Sequence, residues 1–321
     1  MKAFEKPKLA IIVPCYNEEE ILPYTINKLT ELLSILKKEG IISTSSFICF
    51  VDDGSIDKSW NLLEEGLKAN RLLAIKLSSN FGHQNALMAG LNENRNGADI
   101  FVTIDCDLQD DVRVIKKMVL SYLKGNQVVY GVRDSRTSDT FFKRFSAILF
   151  YKFQSKLGVN IIGNHADFRL ISQDVLLHLQ KFNEVNLFLR AIFPLMGFKN
   201  EKIYYDRSAR LAGETKYPLK KMISFAWEGI TSFSVVPLRI ITILGGLIFI
   251  ISMIFGIYFL YLKIFTNGLL PGWASTVIPI YFIGGIQLLC TGIIGEYIGK
   301  IYKETKGRPR YLIEKSYKWK K

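Results

Sequence analysis

The sequence predicts an α/β domain followed by an interfacial amphipathic helix and two transmembrane helices. Residues 1–212 alternate short apolar runs with amphipathic stretches, as a Rossmann-like βαβ domain does. Residues 240–262 and 269–295 are long, uncharged and overwhelmingly apolar, and each exceeds the roughly 20 residues that cross a bilayer core. Asn17, Asp52, Asn80 and Asp105 fall where apolar runs of the first region end, the place at which open α/β sheets bind ligands.

In chain order, residues 8–13 read as a strand, 18–38 as a helix, 47–51 as a strand, 59–68 as a helix and 73–77 as a strand. Residues 83–92 follow as a helix, 100–104 as a strand, 112–124 as a helix and 128–132 as a strand. The strands are runs of about five apolar residues, and the helices are longer amphipathic stretches between them. Residues 141–157 mix Phe142, Phe145, Leu149 and Phe153 with Lys143, Arg144, Lys152 and Lys156, a pattern that fits an interface helix and a surface helix of the domain equally. Leu219, Met222, Ile223, Ala226, Ile230 and Phe233 then fall at helical spacing beside Trp227, with Lys216, Lys220 and Lys221 ahead of them, which suits a helix lying in the membrane interface.

The two apolar runs read as transmembrane helices, since 23 residues without a charge rarely form a helix of a water-soluble core. Their connection carries one positive charge, whereas Lys216, Lys220, Lys221 and Arg239 precede the pair and a basic tail follows it. By the positive-inside rule both ends are cytoplasmic and the short loop faces out. The expected product is an integral membrane protein of a bacterial inner or plasma membrane, in four segments: 1–212, 213–236, 237–299 and 300–321.

Charge and cysteine content narrow the function further. The net charge is +13, but residues 300–321 hold nine Lys or Arg against Glu304 and Glu314, so about half of the excess sits in one tail directly after a span. Anionic lipid explains such a tail better than nucleic acid does. Cys15, Cys49, Cys106 and Cys290 stand far apart without a CxxC pair, which excludes a disulfide framework and a zinc site. No GxGxxG and no GxxxxGK[ST] occurs, so dinucleotide-dependent dehydrogenases and P-loop enzymes drop out.

Chemistry concentrates after the second and fourth strands. Asp52-Asp53-Gly54-Ser55 follows one, and Asp105-Cys106-Asp107-Leu108-Gln109-Asp110-Asp111 follows the other. Carboxylates two residues apart at a strand end can grip one hard cation and leave positions open for diphosphate oxygens. An acidic turn capping the next helix is the competing reading. His83 reads as a helix-start or packing residue, because no carboxylate stands at a telling spacing from it, and His165 lies nearer the expected site. Glu296 is costly inside a bilayer and is expected at the interface or paired with a cation.

Together these motifs resemble the family 2 glycosyltransferases, and within them the polyprenyl-phosphate glycosyltransferases. Val13-Pro14-Cys15-Tyr16-Asn17-Glu18-Glu19 is similar to the family's opening motif, residues 51–57 (VDDGSID) to its second, and Asp105-Cys106-Asp107-Leu108-Gln109 to its metal motif. Asn80-Phe81-Gly82-His83-Gln84, Ala166-Asp167-Phe168-Arg169-Leu170, Gly213-Glu214-Thr215-Lys216-Tyr217 and residues 295–302 also match, so the resemblance covers nearly the whole chain.

The resemblance implies a GT-A-type domain and inverting transfer of one sugar to a membrane-held polyprenyl phosphate such as undecaprenyl phosphate. It implies Mg²⁺ or Mn²⁺ on Asp105, Asp107 and Gln109, and a nucleotide pocket made of Pro14, Tyr16, Glu18, Asp52 and Asp53. Arg133 matches the family's post-strand arginine, and Asp167 and Arg169 are implied as a wall near the sugar, with a plain ion pair between the two as the alternative. Arg144, Arg207, Arg210 and Lys216 are the further candidates for the acceptor phosphate, with a lipid-surface role as the alternative. UDP-glucose or UDP-N-acetylglucosamine is the expected nucleotide sugar. The Q-x-x-R-W motif and extra spans of processive synthases are absent, which favours a single transfer over polymerisation. A membrane-tethered scaffold that binds a nucleotide sugar without turning it over is the alternative from another class. A partner subunit pairing with a strand near 308–313 would make the protein a homo-oligomer.

Overall fold

The structure, a computed structural model, describes residues 6–69, 72–134, 165–182, 184, 188–206, 236–265 and 272–317. Its strands are β1 Leu9–Cys15, β2 Phe47–Asp52, β3 Leu73–Leu77, β4 Ile100–Thr103, β5 Val128–Arg133, β6 His165–Ser172, β7 Asn200–Tyr205 and β8 Ile313–Tyr317. They form one sheet in the order β7-β5-β6-β4-β1-β2-β3-β8. β1 pairs in parallel with β2 and β4, and β2 with β3, while β6 runs antiparallel between β4 and β5 and β8 runs antiparallel along β3.

This is the mixed α/β, GT-A-type arrangement that the resemblance implies. All five expected strands are present within a residue or two of the expected bounds. The helices of the domain are α1 Leu22–Lys38, α2 Ser59–Lys68, α3 His83–Asn94, α4 Val114–Leu123, α5 Gln173–Leu179 and α6 Leu189–Leu195. α1 begins later than the expected residue 18 for a definable reason. The N–H groups of Asn17, Glu18 and Glu19 donate to Ser55 Oγ, Ser59 Oγ and Asp57 Oδ2, so this stretch is bound across to the loop after β2 instead of coiling.

Every residue of β1 and β2 is buried, as parallel strands covered on both faces must be. Leu22, Leu29 and Leu36 of α1 and Met118 of α4 pack with Ile11, Val13 and Val102 on one face. Each such leucine contributes about 1.5–3 kcal/mol by leaving water. On the other face α3 comes so close at Gly90 that a Cβ there would lie 2.5 Å from Ile12 Cγ2 and 2.8 Å from Val51 Cγ2. β1 runs parallel to β2 and β4, so the carboxyl ends of the three strands lie at one rim of the sheet.

Three strands escape a reading of apolar runs. β6 carries Asp167 and Arg169 in its interior, β7 is the polar edge NEKIYY, and β8 follows a long apolar helix. β8 lies slightly beyond the expected stretch 308–313 and pairs with β3 of its own chain. Lys76 pairs with Glu314 at 2.9 Å, Tyr317 stacks on Trp60 with ring centroids 6.3 Å apart, and Lys315 lies over the same indole.

By compactness, residues 308–317 belong with the α/β unit, and the second unit holds α7 Val236–Phe265 and α8 Trp273–Thr305. At about 1.5 Å per residue a helix of 30 residues is about 45 Å long, ample for a hydrocarbon core of about 30 Å. Stretches 236–255 and 282–305 are the candidate spans. Their apolar side chains face outward, with Ile243 63% and Leu288 76% exposed, which a buried core helix would not show. The expected interface helices, 141–157 and 213–235, lie outside the described residues.

Candidate active site

The site is built on the rim where β1, β2 and β4 end. After β2, Asp52 and Asp53 are both buried, yet their surroundings differ. Asp53 accepts from the N–H groups of Phe81 and Gly82 at 2.8 and 2.9 Å, which fixes the loop ahead of α3. Asp52 accepts from the Ser55 N–H at 3.3 Å through Oδ2, and its buried Oδ1 has no hydrogen-bond partner. Burial raises both carboxyls above the usual carboxylate range, against the opposing bonds from Ser55 at Asp52 and from Phe81 and Gly82 at Asp53. Gly54 makes the turn between them and the loop: its φ is +70°, and a Cβ there would meet the Ser79 carbonyl carbon at 2.5 Å.

Across the rim stands the Asp105–Asp111 segment. Leu108 sits in the left-handed region at φ +43°, unusual for a leucine, and this tight turn keeps Asp105 and Asp107 together at the strand end. Asp107 Oδ1 accepts from the Gln109 N–H at 3.3 Å, and Gln109 is buried beneath. Asp105 Oδ1 is a buried atom without a hydrogen bond. Burial raises the Asp105 carboxyl, His83 opposes this, and Asp167, Asp110 and Asp107 add to it. A buried carboxylate oxygen without a hydrogen bond, amid further carboxylates and with His83 Nε2 3.4 Å away, fits a divalent cation. No group of three or more His, Cys, Asp or Glu among the described residues is arranged to hold a metal, so a cation on Asp105 and Asp107 would take its remaining oxygens from water or a bound substrate.

The remaining acids are matched by arginines. Asp110 is buried and accepts from Arg133 Nη2 at 3.0 Å, from Arg133 Nε at 3.1 Å and from the Tyr205 hydroxyl at 2.6 Å. This bond ties the post-strand arginine to the metal segment and to β7. Asp167 pairs with Arg169 on its own strand and with Arg190 Nη2 at 3.0 Å. Against the cost of burial, Arg169 and then Arg190 and His83 hold the Asp167 carboxyl well below the usual carboxylate range. Arg169 itself is enclosed, with its guanidinium 4.8 Å from the centre of the Phe193 ring.

Two residues belong to the site that sequence reading placed elsewhere or passed over. His83 Nε2 lies 3.4 Å from Asp105 Oδ1 and 3.8 Å from Asp167 Oδ2, so it is more than a helix-start residue. Its acidic neighbours are 22 and 84 positions away, a relation only the fold supplies. Arg190 opens α6, whose first N–H groups include that of Leu189, donated to Gln84 Oε1 at 3.0 Å. An arginine inside the apolar run Leu187 to Leu195 was the one available signal.

Pro14, Tyr16 and Glu18 lie at the end of β1 and in the turn after it, on the same rim as Asp52 and Asp53. Tyr16 is partly exposed there, at 42%. Arg144, Arg207, Arg210 and Lys216 lie outside the described residues.

Residues 10–179 match the model of glycosyl transferase family 2. The uncharacterized glycosyltransferase YkoT of Bacillus subtilis (strain 168) is 50% identical over 96% of this chain and 92% of its own. The prophage bactoprenol glucosyl transferase homolog of Escherichia coli (strain K12) and the bactoprenol glucosyl transferase of Shigella phage SfX are each 36% identical over 96% of this chain and 99% of theirs.

Proposed function

This chain belongs to glycosyl transferase family 2 and is a glycosyltransferase, and on that premise we propose that it moves one sugar from a nucleotide sugar to the phosphate of a polyprenyl phosphate at the cytoplasmic membrane face. The observation that carries this reading is the span of the likeness. The bactoprenol glucosyl transferases align with the apolar C-terminal helices as well as with the α/β domain, covering 99% of their own length. An acceptor whose chain stays in the bilayer gives those helices their purpose.

In this reading Asp52, with its unpaired buried oxygen, takes an N–H of the base, and Pro14, Tyr16 and Glu18 complete the nucleotide pocket. Asp53 acts by holding the loop 80–82 in place. Asp105, Asp107 and Gln109 would hold a divalent cation, Mg²⁺ or Mn²⁺, which would supply charge compensation for the departing diphosphate. A phosphate monoester is largely ionised at neutral pH, with a second pKa of about 6, so the attacking oxygen needs positioning and cations more than a base. Asp167 suits such a site: clamped by Arg169 and Arg190, it remains a carboxylate that orients cations. Arg133, Arg144, Arg207, Arg210 and Lys216 are the proposed further contacts of the acceptor phosphate. Attack from the face opposite the leaving diphosphate inverts the anomeric centre.

The test is detection, by mass spectrometry, of a polyprenyl phosphate glycoside. Purified protein, Mg²⁺, a short-chain polyprenyl phosphate and single nucleotide sugars, with UDP-glucose and UDP-N-acetylglucosamine first, are expected to yield it. Protein that binds a nucleotide sugar yet glycosylates no polyprenyl phosphate would contradict the reading.

A further inference from the structure

We propose that Arg190 is a guanidinium that meets the incoming acceptor phosphate, with Asp167 as its positioning anion; this rests on the reading above, in which the acceptor is a phosphate.

Among the described residues, Arg133, Arg169 and Arg190 bring guanidinium groups to the site, and they differ in how much of each solvent can reach. A phosphate approaching Asp105, Asp107, Asp110 and Asp167 meets four carboxylates, and a metal held by the first two would serve the leaving diphosphate. Further positive charge must come from side chains that solvent can reach. Arg169 is buried to 1% exposure, locked on Asp167 and covered by Phe193. Arg133 keeps 23% of its side chain exposed and gives Nε and Nη2 to Asp110. Arg190 keeps 41% exposed while Nε and Nη2 turn toward Asp167, at 3.5 and 3.0 Å. That leaves Nη1 and the open edge of the fork for a ligand, and a guanidinium presents two parallel N–H groups to phosphate oxygens.

The arginine is also held in place from behind. The Leu189 N–H donates to Gln84 Oε1, so the start of α6 is fastened to the first turn of α3, the turn that carries His83. A cation with one edge fixed and one edge open loses little further freedom on binding, which is the condition for a positioning contact.

The test uses the full-length detergent-solubilised protein, with Arg190→Ala, Arg190→Lys and Asp167→Asn beside the wild type. Two quantities are read: KM for a short-chain polyprenyl phosphate and Kd for the nucleotide sugar. Arg190→Ala is expected to raise the acceptor KM at least about tenfold, a loss of about 1.4 kcal/mol, with a smaller change in the Kd for the nucleotide sugar. Arg190→Lys should recover part of the loss, since charge returns without the fork, and Asp167→Asn should shift the same KM. Weakened nucleotide-sugar binding in both Arg190 variants, with acceptor KM unchanged, would assign the residue to the diphosphate and overturn the proposal. Unchanged KM in a variant that still folds would overturn it too. A wild type that transfers to no lipid phosphate would instead remove the underlying reading, and the two failures are told apart by that single control.

Discussion

Asp52 and Asp53 are neighbours that the motif VDDGSID cannot tell apart, and the fold gives them opposite tasks. Asp53 spends both oxygens on the loop before α3, while Asp52 keeps Oδ1 buried and unpaired. Burial raises the Asp52 carboxyl, so its ionised form is costlier in the folded chain than in the unfolded one. That penalty is absent below the unfolded pKa of about 3.9 and is complete once pH has risen past the raised folded value. Asp52→Asn is therefore expected to raise Tm at neutral pH, with the gain shrinking toward about pH 4, while nucleotide-sugar binding weakens about tenfold or more. Thermal melts across pH, paired with binding isotherms, check both halves; a Tm lowered equally at every pH would contradict them. The shared position of Asp105 and Asp107 at one strand end was legible because the two stand in one motif. Residue roles were illegible where they depend on distant chain, as for His83 beside Asp105 and Asp167, or Arg190 on Asp167.

At the scale of elements, apolar runs identify β1 to β5 because parallel strands covered on both faces must be continuously apolar. The same rule passes over β6, where a buried ion pair stands in for apolar content, and over the polar edge strands β7 and β8. β8 is informative because it returns the chain, after its second apolar helix, to the free edge of β3. Truncation after Gly307 removes that strand, the Tyr317 stack on Trp60 and the Lys76 to Glu314 pair. An aromatic pair alone is worth about 0.5–1.5 kcal/mol, and an uncovered edge invites association. With a total loss of about 2 kcal/mol, the truncated protein should melt roughly 4–8 °C lower and aggregate sooner than the full chain. Calorimetry with light scattering measures this; an unchanged Tm would mean that β8 is a passive appendage.

At the scale of the whole molecule, two outward-facing apolar helices are candidate membrane spans, and a charge excess is concentrated after them. The proposed topology, argued from the positive-inside rule, has the α/β unit and the tail on the cytoplasmic side and residues 266–271 outside. Asn267→Cys should accordingly be labelled by a membrane-impermeant maleimide in intact cells, and Ile56→Cys, at a position 88% exposed on the α/β unit, only after lysis. The reverse pattern would invert the topology and remove the cytoplasmic nucleotide sugar from reach. The candidate spans were legible from composition alone, whereas the rim required the sheet to bring Asp52, Asp105 and Asp167 to it from three strands and their ends.

The central claim is that one sugar passes to a lipid phosphate at the rim built by Asp105 and Asp107. Its most direct measurement is nucleoside diphosphate release by the solubilised protein with Mg²⁺ and a nucleotide sugar, with and without short-chain undecaprenyl phosphate, and with Asp107→Ala alongside. Release that requires the lipid phosphate and falls at least about a hundredfold in Asp107→Ala, about 2.7 kcal/mol of barrier, is the predicted result. Release indifferent to the lipid, or undiminished in Asp107→Ala, would contradict it.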